Sequence, residues 1–502
     1  MSKSQESTIE VKLFVDKKKK KVLFAESDKE FVDVLFSFLT IPLGTIVRLL
    51  DKQSQMGSLD EIYKSVEDLS ADAFQTKACK AMLLRPLNAA SGHFSSLKIN
   101  IDDTRPRAAY VCINMNCRAP GDRVFSSFPD AVCKCGKTMQ YVGNVSEDDG
   151  NLAPAGEDLD TGVFVKGLMR FIITDDLVVA PASTNLMLSL LQQFGVRDPE
   201  KLEETIVQLS SQQITGLLKR SLMSKHPLTE LYFDIATTND DADLYVLPKQ
   251  LYPEQVSDGD QKLNSVKIKI LQKKNNSSLL YVEAGAEFID LLFGLLSIPL
   301  GSIIKAYGQW PSNGCTDNLW KSVDGNAKGC MRPERESLLV APKSAPFGCG
   351  ATKILQVDEL DPTLDINCCF KCFKTCGFAK LGRCHEKTRF STYMYCQEMV
   401  KSTKLYELNP KLPKDGRGNG ETYMKGEQLK FMVTDDLRVL PLSVSTTIQF
   451  VSDAKMKMEE LLEREITPTK FQVMEIQKAA LISRNALSSV LLIPDKKIKA
   501  ER

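Results

Sequence analysis

Histidine is scarce in this sequence, and a surplus of charge is missing. The chain has three histidines in 502 residues, and its 65 lysines and arginines are balanced by 64 acidic residues. A protein that binds nucleic acid through its charge needs a basic surplus, so the composition argues against a general nucleic-acid binder. The sequence also lacks the G-x-S-x-G and H-E-x-x-H motifs, which removes two common classes of hydrolase.

Long uninterrupted apolar runs are also missing. The most apolar stretch, residues 31–50, contains Asp33 and Arg48 and is broken by Pro42 and Gly44. A membrane-spanning helix needs about 20 apolar residues without such breaks. The first residues lack the apolar segment of a signal peptide. We therefore expect a cytoplasmic or nuclear protein with no membrane partner, whose 14 cysteines are thiols or metal ligands rather than disulfides.

The sequence contains a long internal repeat. Segments that begin at Phe31 and Phe288 agree at 10 of 20 positions, and both contain I-P-L-G. Segments that begin at Phe171 and Phe431 agree at 8 of 13 positions, and both contain T-D-D-L. Such repetition predicts two tandem homologous units joined by an acidic, proline-containing linker. The first unit, the linker and the second unit are expected to cover residues 1–233, 234–263 and 264–502.

Each predicted unit combines hairpins with helices. Apolar residues alternate over residues 9–15 and 266–270, which predicts an opening β-hairpin in both units. An apolar helix follows, and the proline of I-P-L-G ends it. Each unit then closes with helical segments, so we expect an α+β fold. The run Lys17–Lys21 lies at the turn of the first hairpin and is either a solvated turn or a nuclear-import signal.

Four cysteines of the first unit are spaced like zinc ligands. Four residues separate Cys112 from Cys117, and 15 residues later Cys133 and Cys135 are one residue apart. Two close pairs at this separation are typical of a zinc ribbon, in which four thiolates converge on one tetrahedral ion. The C-x-C pair is shorter than the usual C-x2-C. The sequence predicts a structural Zn²⁺ site, with four partly buried thiols as the alternative.

The second unit has a less regular cysteine segment. A single cysteine stands at its end, where the first unit has the pair Cys133 and Cys135. The spacing of the others matches no standard zinc plan, so we expect a degenerate knuckle. Its candidate ligands are Cys372, Cys376, Cys384 and Cys396.

The T-D-D-L motif occurs once in each unit. It places Asp175 beside Asp176 and Asp435 beside Asp436. Adjacent carboxylates can hold a divalent cation or transfer protons. However, neighbours on an extended chain point to opposite faces, and Thr-Asp-Asp between strand-like segments is typical of a turn. We predict two hairpin turns and keep a binding or catalytic site as the alternative, with no catalytic residue assigned.

A glycine-rich segment covers residues 414–426 of the second unit. It has neither the spacing of a P-loop nor a G-x-G-x-x-G motif that follows a strand. The sequence therefore predicts a flexible loop without a phosphate-binding role.

Several of these landmarks together resemble one known family. They are the lysine-rich hairpin, I-P-L-G, the Y/W-K-S-V motif at Tyr63 and Trp320, the cysteine knuckle and F-x-x-T-D-D-L. The sequence is similar to the plant-specific family called domain of unknown function six-seven-four, over almost the whole chain and in two tandem copies. The resemblance implies a plant protein and brings no established activity, cofactor or catalytic residue.

The leading hypothesis is a non-catalytic binding or scaffolding protein whose first unit contains a zinc-ribbon-like knuckle. The features that both units share are mostly turn, helix-break and core residues, which favours a structural role. A small-molecule binder or enzyme that uses the paired aspartates is the first alternative. A weak nucleic-acid binder that uses the knuckle and the lysine turn is the second. The expected partner is a protein.

Overall fold

The computed structural model describes most of the chain. The described residues are 7–104, 109–112, 114, 124–143, 162–167, 169–196, 198, 202–236, 262–263, 266–274, 278–368, 401–413, 420–426 and 429–492. Most of the predicted linker therefore lies outside the described residues.

The described part of the first half forms eight strands and seven α-helices. The strands are β1 (Ile9–Asp16), β2 (Lys21–Ser27), β3 (Ala109–Cys112), β4 (Val124–Phe125), β5 (Met139–Gly143), β6 (Phe171–Thr174), β7 (Val179–Pro181) and β8 (Glu203–Leu209). The helices are α1 (Lys29–Ser37), α2 (Leu43–Leu49), α3 (Leu59–Asp68), α4 (Lys77–Leu84), α5 (Thr184–Gln193), α6 (Ser211–Met223) and α7 (Pro227–Tyr232).

The second half of the described chain forms seven strands and eight α-helices. The strands are β9 (Ile268–Lys273), β10 (Leu279–Ala284), β11 (Thr363–Cys368), β12 (Lys401–Glu407), β13 (Phe431–Val433), β14 (Val439–Pro441) and β15 (Leu461–Ile466). The helices are α8 (Ala286–Phe293), α9 (Leu300–Tyr307), α10 (Thr316–Asp324), α11 (Pro333–Val340), α12 (Gly350–Leu355), α13 (Val444–Asp453), α14 (Lys470–Ala480) and α15 (Ala486–Leu491).

Two five-stranded antiparallel sheets have the same strand order. The first is β7-β6-β2-β1-β8 and the second is β14-β13-β10-β9-β15. The alternation read from the sequence sets the faces of the opening strands, because Ile9, Val11, Leu13 and Val15 are all buried. Helices and antiparallel sheets together confirm the α+β prediction. The tandem duplication and its boundaries stay predictions.

The two I-P-L-G segments cross each other. Pro42 and Pro299 form an antiparallel bridge. On one side the Leu43 N–H donates to the Ile298 carbonyl, and on the other side the Leu300 N–H donates to the Ile41 carbonyl, both at 3.0 Å. Proline has no N–H and ends the helical segment before it. Pro42 and Pro299 are both extended, so the two segments pair as extended chain.

A glycine stands two residues after each of these prolines, where the backbones of the two halves lie close together. A Cβ on Gly44 would lie 3.0 Å from the Leu296 carbonyl oxygen, and a Cβ on Gly301 would lie 2.9 Å from the Leu39 carbonyl oxygen. Glycine is the residue that permits this approach. The I-P-L-G motif is thus the crossing point of the two halves.

Beyond the crossing, each half supplies a helix to the other half. Helix α3 packs beside α8 and β14, whereas α10 packs beside α1 and β7. The serine of each K-S-V motif makes the connection: Ser65 Oγ accepts the Val439 N–H at 2.8 Å, and Ser322 Oγ accepts the Val179 N–H at 2.9 Å. One hydrophobic core therefore contains residues of both halves. Each half also has a smaller hydrophobic cluster of its own, between its sheet and one helix.

Candidate functional site

Three of the predicted zinc ligands lie together. The sulfur atoms of Cys112, Cys133 and Cys135 are all within 4.8 Å of one another, and the Cys112 and Cys135 sulfurs are 3.5 Å apart. Tetrahedral zinc with bonds of about 2.3 Å places two sulfurs about 3.8 Å apart, so this spacing suits the ion. The Asn114 N–H lies 3.4 Å from the Cys112 sulfur, as a donor to a thiolate would. The cluster could hold a metal ion.

The shortened C-x-C pair brings both of its sulfurs into the cluster. The tight turn that contains the pair is closed by the Gly136 N–H, which donates to the Cys133 carbonyl at 2.8 Å. Gly136 has a φ of +82°, a conformation that glycine adopts without strain. Cys112 and Cys133 are buried and Cys135 is exposed.

Five of the predicted ligands lie outside the part of the chain that the structure describes. Cys117, the predicted fourth ligand, lies outside the described residues. The four candidate ligands of the second half also lie outside them; they are Cys372, Cys376, Cys384 and Cys396.

The cysteine cluster lies where the two halves meet. Strand β4 of the first half pairs in parallel with β12 of the second half. The Leu408 N–H donates to the Phe125 carbonyl at 2.7 Å, and the buried Glu407 carboxylate accepts the Ser127 N–H at 2.9 Å. Leu408 also packs against the apolar cluster around Cys112 and Cys133. A metal held here would therefore fix a contact between the halves.

Both T-D-D-L motifs form tight turns between two short strands. In the first, the Leu177 N–H donates to the Thr174 carbonyl at 2.9 Å, and Thr174 Oγ1 donates to the Asp176 carboxylate at 2.5 Å. Leu177 and Leu437 are buried with φ near +60°. Leucine in this left-handed conformation is uncommon, so the surrounding core enforces the turn.

The first aspartate of each motif holds the start of a helix. Asp175 accepts hydrogen bonds from the N–H and hydroxyl of Thr229 in α7, at 2.9 and 2.8 Å, and lies 3.0 Å from Nδ1 of His226. Asp435 accepts the Ser488 N–H in α15 at 2.7 Å. Each carboxylate thus caps the first turn of a helix, as an N-cap side chain does, although it comes from another part of the chain.

The environment of Asp175 shifts its titration. Burial raises the pKa of this carboxyl group, and the hydrogen bonds from Thr229 and His226 oppose the rise. The neighbouring Asp176 accepts from Asn318 of α10 at 3.1 Å, so the turn also joins the two halves. The two carboxylates point to different partners, as expected for adjacent residues of a turn.

Two buried aspartates each anchor a short segment of chain, and this role was not identified from the sequence. We call the two segments, residues 163–165 and 423–424, straps. Asp33 in α1 accepts the N–H groups of Val163, Phe164 and Val165 at 2.6, 2.8 and 3.2 Å. The second strap is held in the same way by Asp290 in α8. The sequence did contain a signal for this role, because an aspartate occupies the same position in the apolar part of both helices.

The prediction of a flexible loop over residues 414–426 is wrong for its described part. Asp290 accepts the N–H groups of Tyr423 and Met424 at 3.0 and 3.2 Å, and both residues are buried. Residues 414–419 lie outside the described residues. Composition suggested flexibility, but buried N–H groups need partners, and the helix provides a carboxylate.

A buried lysine lies beside Asp290. Lys411 is fully buried, and its Nζ donates to the carbonyls of Gly348 and Glu421 at 2.6 and 2.8 Å. The ammonium group also lies 4.4 Å from the centroid of the Tyr423 ring. Burial lowers the pKa of Lys411 and raises the pKa of Asp290 to about 8, and the ammonium group opposes the rise at Asp290.

The raised pKa of Asp290 has an expected effect on stability. The folded state holds this proton up to about pH 8, whereas the unfolded state releases it near 3.8. Since the folded state binds more protons in this window, the free energy of unfolding falls as the pH rises, by up to about 1.4 kcal/mol per unit. Asp290→Asn should remove this slope, as measured by urea unfolding between pH 4 and pH 8.

Asp33→Asn is the matched comparison. Burial raises the pKa of Asp33 to about 6, so its contribution to the slope should end near that pH. Equal slopes for wild type and Asp290→Asn above pH 6 would contradict the assignment to Asp290.

The lysine turn is exposed and partly neutralised. Lys17 pairs with Glu203, and Lys19 lies 3.7 Å from Asp16. These ion pairs reduce the positive field of the turn, and its use as a nucleic-acid contact stays an alternative. The nuclear-import interpretation stays a prediction.

The fold and site define a class of α+β protein in which two halves exchange helices around one core and a cysteine cluster lies at their junction. None of the helices in the described part of the chain combines the length and apolarity needed to span a bilayer. A family model described as a protein of unknown function (DUF674) matches residues 5–471. The chain belongs to this family. No curated protein and no solved structure matches it.

Proposed function

We propose that this chain is a non-catalytic binding or scaffolding protein stabilised by a structural zinc ion. Cys112, Cys133 and Cys135 would supply three thiolates, with Cys117 as the fourth ligand. The observation that carries the proposal is the convergence of three sulfurs within 4.8 Å. Four thiolates leave no open position for substrate, so such a site serves folding rather than chemistry.

The position of the cluster supports a scaffolding role. It lies beside the β4–β12 pairing, which joins segments of the two halves that are far apart in sequence. Cys112 ends β3, and Cys133 and Cys135 shortly precede β5. Zinc bound to these cysteines would therefore hold the two strands beside this junction. The surface presented by the joined halves would then bind a protein partner.

Metal analysis of the purified chain tests the proposal. We expect one zinc ion per chain and a lower unfolding temperature after chelation, because metal binding contributes directly to folding. Cys133→Ser should lose the zinc. Cys330→Ser is the control, since it removes a cysteine outside the cluster, and it should retain the metal. A chain without zinc whose unfolding temperature is insensitive to chelator would contradict the proposal.

A further inference from the structure

A cavity lies beside the first T-D-D-L turn, far from the cysteine cluster in sequence. Its volume is about 470 Å³, which is within the range of small-molecule sites. One wall is apolar and comes from α5 and β6. The apolar side chains include Ile172, Leu186, Leu190 and Phe194. Charged side chains also line the cavity.

The acidic groups of this cavity are already engaged. Asp175 accepts hydrogen bonds from Thr229 and lies 3.0 Å from His226 Nδ1. Asp176 accepts from Thr174 and Asn318. These carboxylates therefore position other residues, and the sequence-based idea that they would contact a ligand directly is not what the geometry favours.

The charged groups that remain for a ligand are basic. Lys21, Lys225 and His226 all line the cavity. Lys21 Nζ lies 5.9 Å from the centroid of the Phe194 ring, so a basic group and an apolar group of the lining are neighbours. Lys225 Nζ donates to the Gly314 carbonyl, and an ammonium group has three donors. Asp175 holds one nitrogen of His226, so the other can bond to a ligand.

We propose that this cavity binds a small organic anion. Its charged end, a carboxylate, would lie against Lys21, Lys225 and His226, and its apolar part would cover α5. The combination of one apolar wall with a few convergent polar groups is the usual design of a ligand site. This inference does not rest on the zinc proposal.

The second half of the chain carries other residues at three of the corresponding positions, and Arg484 stands in the place of Lys225. Ser278 stands in the place of Lys21, Asn485 in the place of His226 and Ala454 in the place of Phe194. The fold of the two sheets is the same, so these exchanges change the site without changing its framework. The first half therefore supplies the residues that distinguish this site, and Asn326 of the second half completes its lining.

This difference supplies the test variant. Lys21→Ser with His226→Asn gives the first half the residues that the second half uses, so the variant should fold. Calorimetric titration with octanoate should show one site per wild-type chain, and octan-1-ol, with the same apolar tail and no charge, should bind at least tenfold more weakly. The double variant should bind octanoate at least tenfold more weakly than wild type.

Lys18→Ser is the matched control. It removes an exposed lysine from the same hairpin turn, so it changes the charge without touching the cavity. We expect wild-type octanoate affinity for this control and the wild-type unfolding temperature for all variants. Equal affinities for octanoate and octan-1-ol, an unaffected double variant, or no saturable octanoate binding at millimolar concentration would overturn the proposal.

Discussion

Replacing Gly314 with alanine is expected to destabilise the protein by about 3 kcal/mol. An added Cβ would lie 2.3 Å from the Leu222 carbonyl oxygen and 2.4 Å from the Ser221 carbonyl oxygen, both in the backbone of α6. Backbone in a packed helix cannot rotate away as a side chain can. The adjacent Cys315 N–H donates to the Ser221 carbonyl at 2.7 Å, and this bond would be lost when the segments separate.

Urea unfolding of Gly314→Ala beside Gly329→Ala tests this result. A Cβ on Gly329 would meet no described atom within 4 Å, so this control should stay within about 0.5 kcal/mol of wild type. Gly57 makes the equivalent contact in the other half, where a Cβ would lie 2.5 Å from the Ala480 carbonyl oxygen. Similar midpoints for Gly314→Ala and Gly329→Ala would show that the junction yields more easily than the geometry implies.

Replacing Asp33 with alanine is expected to cost about 4 kcal/mol. The change removes the acceptor of three backbone N–H groups and leaves them buried without their partner, at roughly 1–3 kcal/mol for each group before relaxation. Asp33→Asn retains one acceptor oxygen and should lose about half as much. The measurement is the free energy of unfolding from urea titration at neutral pH.

Asp72→Ala is the control for this series, because Asp72 is exposed and should change stability by less than about 0.5 kcal/mol. A loss for Asp33→Ala no larger than that of the control would mean that water reaches the N–H groups of the strap. A loss for Asp33→Asn equal to that for Asp33→Ala would mean that both carboxylate oxygens are needed.

The two halves of the molecule stabilise each other through repeated small devices. I-P-L-G lets the chains cross, K-S-V supplies a serine to the other half's strand, and the T-D-D-L turn binds both a helix start and a residue of α10. The pairing at I-P-L-G, the serine contact and the contact with a helix start are each made twice.

Local features of this protein could be predicted from its sequence. Alternation identified the opening hairpins, proline placed the end of the apolar helix, and cysteine spacing grouped three thiols that converge in space. In each case the partners are close in sequence or the cause is one residue's own geometry. The α+β class followed from the same local signals.

Contacts between the halves were decided only by the tertiary structure. Ser65 and Val439 are 374 positions apart, and Ser58 bonds to Ser483 over 425 positions. Helices α3 and α10 both contain K-S-V and bury similar apolar faces. The amphipathic pattern shows that a helix has a buried face, and it does not show which neighbour buries it. The tertiary structure places α3 beside α8 and β14, and α10 beside α1 and β7.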